Sequence, residues 1–333
     1  MKRRKIFSGK LIFFFLMIVF LWIAVSYFAQ TKHILTVLAQ GQWYWVLMAV
    51  IIQLFYYPFY AYFVEGVFKI FKVKLLRKQI LPIYLASKFT DVALPVATLG
   101  QVAIFVRNGK RNGNEPLNVG IGISFVLLFE LVAFAILASA VMVTLSIFDH
   151  PPLYMIYTLL ILVFLLLLAL LFIVRVAIQQ KPLNKLFLLM IKVVAKFAGQ
   201  KNVNISHVHQ IIQETGADLR TNLEMVWPSL RLAICTHLLN LVTFAIIFIA
   251  FANTFNILAI LAGYVACLLF TVVSITPQGV GVAETAMIST LTSFGLDFSV
   301  AAVITLAFRG LLYWLPFFPG FYVFSRLELK SEE

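Results

Sequence analysis

The stretch of this chain best suited to chemistry runs from Thr276 through Pro277, Gly279 and Gly281 to Glu284, with Phe308-Arg309 one apolar run later. Proline lacks the N–H that a helix ladder needs, and glycine loses the most conformational freedom on ordering, so this stretch breaks a helix. Backbone that leaves the helix inside a bilayer must be buried in protein or hydrated. Pro277, Gly279 and Gly281 therefore point to a polar cavity. A helix starting near Val282 aims its free N–H groups and the positive end of its dipole at that cavity. Two readings stand for Glu284 and Arg309. Arg309 helps to hold a phosphate, or the two residues neutralise charges that each cost about 2.5–3.5 kcal/mol at a helix centre.

A second interrupted stretch, Ile80 to Val106, carries Pro82, Lys88, Asp91, Pro95 and Gly100. Pro95 falls near its middle, so a pair of half-helices is expected, the second presenting another helix N-terminus. Lys88 and Asp91 are one turn apart and can pair locally, and with Thr90 and Thr98 they can line a head-group site. Glu130, near the centre of a long apolar run, has two roles open: proton uptake in a coupled cycle, or pairing with Arg309 or hydroxyls such as Ser124. Arg231 is placed to snorkel to an interface, and His237 to pack within its helix.

The elements that must position these residues are membrane helices. Of 333 residues, 62% are hydrophobic and only 12% charged, half the charged share of ordinary soluble domains. Apolar runs of 18 residues or more recur from Leu11 to Phe324, so the fold expected is an all-α polytopic membrane protein. The runs are Leu11–Ala29, Trp43–Val64, the broken Ile80–Val106, Leu117–Phe148, Leu153–Val174, Trp227–Phe251, Ile257–Ile275, a short helix to Gly295, and Phe298–Phe324. The basic start before Leu11 resembles a signal peptide, but its long apolar stretch without a clear cleavage site reads as an uncleaved first helix. Residues 175–226 form a polar connector, read either as a basic amphipathic helix on the membrane surface or as a solvated segment.

The order repeats. Residues 1–174 and 227–326 each hold a helix, a segment broken at Pro, and a long helix with a buried charge. Pro95 and Gly100 correspond to Pro277 and Gly281, and Glu130 loosely to Arg309. If both broken segments are re-entrant, every one of the 26 basic residues except Lys32, Lys88, Arg231 and Arg309 falls on one side, the cytoplasmic one by the positive-inside rule. The expected architecture is an inverted repeat of six spans and two re-entrant hairpins inserted from opposite sides, with both termini cytoplasmic; eight full spans give the same end-points.

Other chemistries have little to stand on. The chain has no Gly-x-Ser-x-Gly elbow, Walker loop or His-Glu-x-x-His, and the pair His207 and His209 lacks further ligands, so neither a metal nor a cofactor is expected. Cys235 and Cys267 sit in apolar runs without a Cys-x-x-Cys partner, so no disulfide framework follows. The formal charge of +13 lies in short loops between apolar runs, which fits orientation and anionic-lipid contact rather than nucleic acid.

The Pro277, Gly279, Gly281 and Glu284 spacing, followed by Arg309, resembles the flippase-like membrane domain family. That module forms the membrane half of lysyl-phosphatidylglycerol synthase/flippases and occurs in uncharacterised integral membrane relatives. Leu94, Pro95, Gly100 and Glu130 match the family's earlier element, whereas Gln101, Ile104 and Leu131 replace its Glu and two Arg. The resemblance implies a bacterial plasma-membrane protein that moves a phospholipid or polyprenyl-linked precursor between leaflets. Its alternative is a part in lipid aminoacylation, or in envelope assembly as a scaffold. The soluble aminoacyl-transferring domain of the full-length synthases has no counterpart after Phe324, so a homodimer or a separate transferase are the protein partners left open.

Overall fold

The structure, a computed structural model, describes residues 32–93, 97–148, scattered helical positions between 153 and 167, 221–274 and 276–329. The expected first helix, Leu11–Ala29, Pro95 and nearly all of the connector lie outside them. The described residues form helices α1 (Lys32–Gln40), α2 (Trp43–Ile70), α3 (Arg77–Ala93), α4 (Ala97–Arg111), α5 (Pro116–Phe148), α6 (Leu223–Ala252), α7 (Ile257–Val273), α8 (Val282–Ser293), α9 (Phe298–Arg309) and α10 (Leu315–Leu329). A 3-10 turn, Pro277–Gly279, joins α7 to α8, and a π-helical segment, Gly310–Trp314, joins α9 to α10. Among the described residues, four rods are long and apolar enough to cross a membrane: α2, α5, α6 and the continuous α9–α10 rod. The chain is thus a multi-pass, all-helical membrane protein.

Hydrogen bonds between loops fix which helix ends lie together. The amide of Lys74 donates to Asn114 Oδ1 (2.6 Å) and Gln79 Nε2 to Asn112 Oδ1 (2.7 Å), joining the start of α3 to the end of α4. Arg111 Nη1 donates to the carbonyl of Leu327 (2.7 Å), and Asn222 Nδ2 to that of Ile70 (3.3 Å). One end of the bundle therefore gathers Lys69, Lys72, Lys74, Arg77, Lys78, Lys110, Arg111 and Arg326. At the other end, Gln42 donates through its amide to the carbonyl of Ala250 (2.9 Å) and through Nε2 to Asn253 Oδ1 (2.7 Å). Among the described residues, positive charge is concentrated at one end, the pattern that orients helical membrane proteins.

The α3–α4 hairpin enters from the basic end. α3 runs antiparallel to α10: a Cβ on Gly320 would stand 2.3 Å from the carbonyl oxygen of Leu85, and the Phe89 ring lies 5.3 Å from each of Phe317, Phe321 and Phe324. Only glycine lets the two backbones come this close. The α7–α8 hairpin enters from the opposite end, next to Asn253. α8 has 12 residues, about 18 Å at 1.5 Å per residue, too short for a hydrocarbon core of about 30 Å. Its tip is held by Arg309, 12 residues into a rod that continues to Leu329. α3 touches the Pro277–Gly279 turn, and the two hairpins meet there. This is the expected inverted pair.

The fold departs from the sequence reading in local ways. Lys32 opens a helix rather than lying in a loop, α2 continues past Val64 to Ile70, and α6 begins inside the supposed connector at Leu223. The last helix is not uniform, because the π segment inserts a wider turn directly after Arg309.

Candidate functional site

The second hairpin's break is built by backbone that few residues accept. Gln278 and Gly279 have φ of +54° and +68°, and Gly281, the N-cap of α8, has φ of +87°. A Cβ on Gly279 would lie 2.7 Å from the Thr271 Cα, so this position needs glycine on two counts. Thr276 Oγ1 donates to the carbonyl of Val280 (3.0 Å) and closes the turn. Glu284 Oε2 accepts the Gly281 N–H at 2.7 Å, so the carboxylate itself caps the start of α8.

Arg309 completes this corner. Its Nε donates to Glu284 Oε1 (2.7 Å), Nη2 to the carbonyl of Gln278 (2.7 Å), and Nη1 to Tyr313 Oη (2.8 Å) and Thr271 Oγ1 (3.1 Å). The guanidinium also lies 4.4 Å over the Tyr313 ring, and only 5% of the side chain is exposed. Three of its four hydrogen-bond partners belong to the α7–α8 hairpin, so its planar fork ties the break to the last helix. Glu284 and Arg309 thus form a charge pair within a larger network, and both Glu284 oxygens are engaged. Pro277 and Gly281 belong to the same turn.

The first hairpin brings a different set together. Lys88 and Asp91, in the last turns of α3, pair at 3.5 Å, as their spacing anticipates. Lys88 Nζ also sits 5.2 Å from the Tyr84 ring centre. Tyr84 stacks on Tyr60 (4.0 Å), Tyr60 on Tyr56 (5.7 Å), and the Tyr56 and Tyr84 hydroxyls are 3.4 Å apart. Glu130 of α5 faces this cluster, with Lys88, Tyr60 and Asp91 as its electrostatic neighbours. The suggested pairing of Glu130 with Arg309 is therefore not formed, because Glu284 is the carboxylate beside Arg309. Nor does Ser124 serve Glu130; it donates to the carbonyl of Gly120 one turn back. Gly100 lies in the first turn of α4, and Gln101 beside it is buried with Nε2 unpartnered. Lys88 and Tyr313 are electrostatic neighbours, so the two clusters adjoin.

His237 packs as expected and also straps helices together: its Nε2 lies 3.0 Å from the carbonyl oxygen of Glu130, and Tyr264 Oη donates to the His237 carbonyl (3.0 Å). The tyrosine stack is the part that sequence reasoning missed. Its signal was present, since Tyr56 and Tyr60 are one turn apart on α2, but the partner Tyr84 is 24 residues further on. No group of three or more metal-ligating side chains occurs among the described residues.

Long apolar helices and two interrupted ones, with charged and aromatic groups gathered near the interruptions, define a polytopic helical membrane protein. Residues 8–320 match the family described as "Lysylphosphatidylglycerol synthase TM region", and the chain belongs to it. The chain is also similar to the UPF0104 membrane protein MJ1595 of Methanocaldococcus jannaschii, 32% identical over 101 residues that span 30% of each chain. No solved structure matches.

Proposed function

We propose that the protein moves a phospholipid or lipid-linked precursor between leaflets, with its head group passing through the polar layer where the two hairpins meet. The observation that carries this reading is the contact of α3, which bears Lys88 and Asp91, with the Pro277–Gly279 turn, whose Gln278 carbonyl accepts from Arg309. A charged head group meets its main barrier in the hydrocarbon core, where unpaired charge and unsatisfied backbone are most costly. A protein-lined polar layer at that depth lowers this barrier. The lipid-synthase family to which the chain belongs supports a lipid as cargo. In this reading the basic end faces the cytoplasm and anionic lipid.

The test is leaflet-resolved transfer of head-group-labelled lipid in vesicles containing the purified protein. Transfer above that of empty vesicles, reduced severalfold by Lys88→Ala at equal protein level, supports the proposal. Transfer no faster than in empty vesicles across a panel of phospholipids and polyprenyl phosphates overturns it. The family name also favours a second reading, a part in lipid aminoacylation. Lipid modification dependent on aminoacyl-tRNA in the same vesicles, with a transferase added, distinguishes that reading.

A further inference from the structure

The two clusters differ in what they leave unsatisfied. Arg309 and Glu284 are occupied by protein on every polar atom, so that corner offers a head group little without first coming apart. The Lys88 cluster is incomplete. Its ion pair, at 3.5 Å, is longer than a charge-assisted hydrogen bond of about 2.7–2.9 Å, and 26% of the Lys88 side chain is exposed. Asp91 is 3% exposed, yet its Oδ1 has no hydrogen-bond partner. Tyr57 is 7% exposed, its hydroxyl, beside Gln53, makes no hydrogen bond of normal geometry, and its ring lies 6.4 Å from Tyr84. Lys88 is an electrostatic neighbour of Tyr57 as well as of Asp91.

Native interiors leave few such atoms unpaired, because each costs about 1–3 kcal/mol. Five side-chain atoms in this state are found among the described residues, and two of them belong to the residues around Lys88: Asp91, its ion-pair partner, and Tyr57, which shares the Tyr84 ring with it. Their chemistry is complementary to one kind of ligand. Lys88 donates only and suits a phosphate oxygen; an ionised Asp91 accepts only and requires a donor; the Tyr57 hydroxyl does either.

We infer that Lys88, Asp91 and Tyr57 form a selective head-group subsite for a phosphodiester lipid whose head group carries a hydrogen-bond donor, a hydroxyl or a primary ammonium. Lys88 takes the phosphate, and Asp91 with Tyr57 takes the donor. A quaternary ammonium head group brings no donor and leaves Asp91 Oδ1 unsatisfied. This assignment rests on the lipid reading above, and it makes Asp91 and Tyr57 specificity residues and Arg309 a positioning residue.

The experiment is competitive binding, read by native mass spectrometry of the full-length protein. The competing lipids are equimolar phosphatidylglycerol, phosphatidylethanolamine and phosphatidylcholine with matched acyl chains. Wild type should retain at least one of the first two about tenfold over the third, the ratio expected for one hydrogen bond to a charged group. Whichever of the two is enriched identifies hydroxyl or ammonium as the donor. Tyr57→Phe and Asp91→Asn should each reduce that ratio severalfold, whereas Lys88→Ala should weaken all three lipids and keep the ratio. Tyr57→Phe removes a buried hydroxyl that makes no hydrogen bond of normal geometry, so its unfolding midpoint should change little, which separates ligand loss from misfolding. Equal retention of the three lipids by wild type, or an undiminished ratio in both Tyr57→Phe and Asp91→Asn, overturns the inference. Selective binding without leaflet transfer would overturn the transport reading alone. Transfer without selectivity would overturn the subsite alone.

Discussion

Removing the Arg309 guanidinium should be the most damaging single side-chain change at the second break. Four hydrogen bonds of 2.7–3.1 Å converge on a side chain that is 5% exposed, and its carboxylate partner Glu284 is 20% exposed. Deleting one member of a buried pair costs about 3–5 kcal/mol, because the other charge is left uncompensated. Glu284 keeps the Gly281 N–H and some contact with solvent or lipid head groups, so Arg309→Met should cost about 3 kcal/mol. Glu284→Gln leaves an amide oxygen to cap α8 but takes the counter-charge from a guanidinium that is 5% exposed, and should also cost about 3 kcal/mol. With both changes there is no orphan charge, so the double variant should be more stable than the sum by about 2 kcal/mol. Reversible unfolding by SDS in mixed micelles, run on all four members of the cycle, measures this directly. A cost below about 1 kcal/mol for Arg309→Met, or additivity within about 0.5 kcal/mol, would refute the clamp.

Arg309→Lys keeps the charge but not the fork, so it should recover only part of the loss of Arg309→Met in the same unfolding assay. Gly320→Val places carbon against the Leu85 carbonyl, backbone that cannot move aside; it should separate α3 from α10 and cost about 1–3 kcal/mol or more by the same measurement. Gly279→Ala should cost at least about 1–2 kcal/mol from its positive φ alone. By contrast, Gly310→Ala, at φ −58° with nothing within 4 Å, should be neutral or stabilising by up to about 1 kcal/mol. In a background without Cys235 and Cys267, single cysteines at Gln79 and Asn112 should label from one side of the membrane and those at Gln42 and Asn253 from the other. Labelling of Gln79 and Asn112 from opposite sides would exclude the first hairpin.

By itself the sequence determined the solvent, the breaks and the local pair. Composition and the length of the apolar runs require membrane helices whatever their packing, since lipid tolerates little else. Proline and paired glycines act through their own backbone, so the turn at 277–281 was legible from residue types, as was the i,i+3 pairing of Lys88 with Asp91. Which carboxylate meets Arg309 was not. Glu284 and Glu130 are both acidic groups in apolar surroundings, and only the folding of α8 back beside α9 brings Glu284 Oε1 to 2.7 Å. The tyrosine stack joins Tyr60 to Tyr84, and the contact of Gly320 with Leu85 spans far more sequence still. Such contacts carry no periodic signal along the chain, because they arise where separate helices cross, and the crossing is set by the packing of the whole bundle.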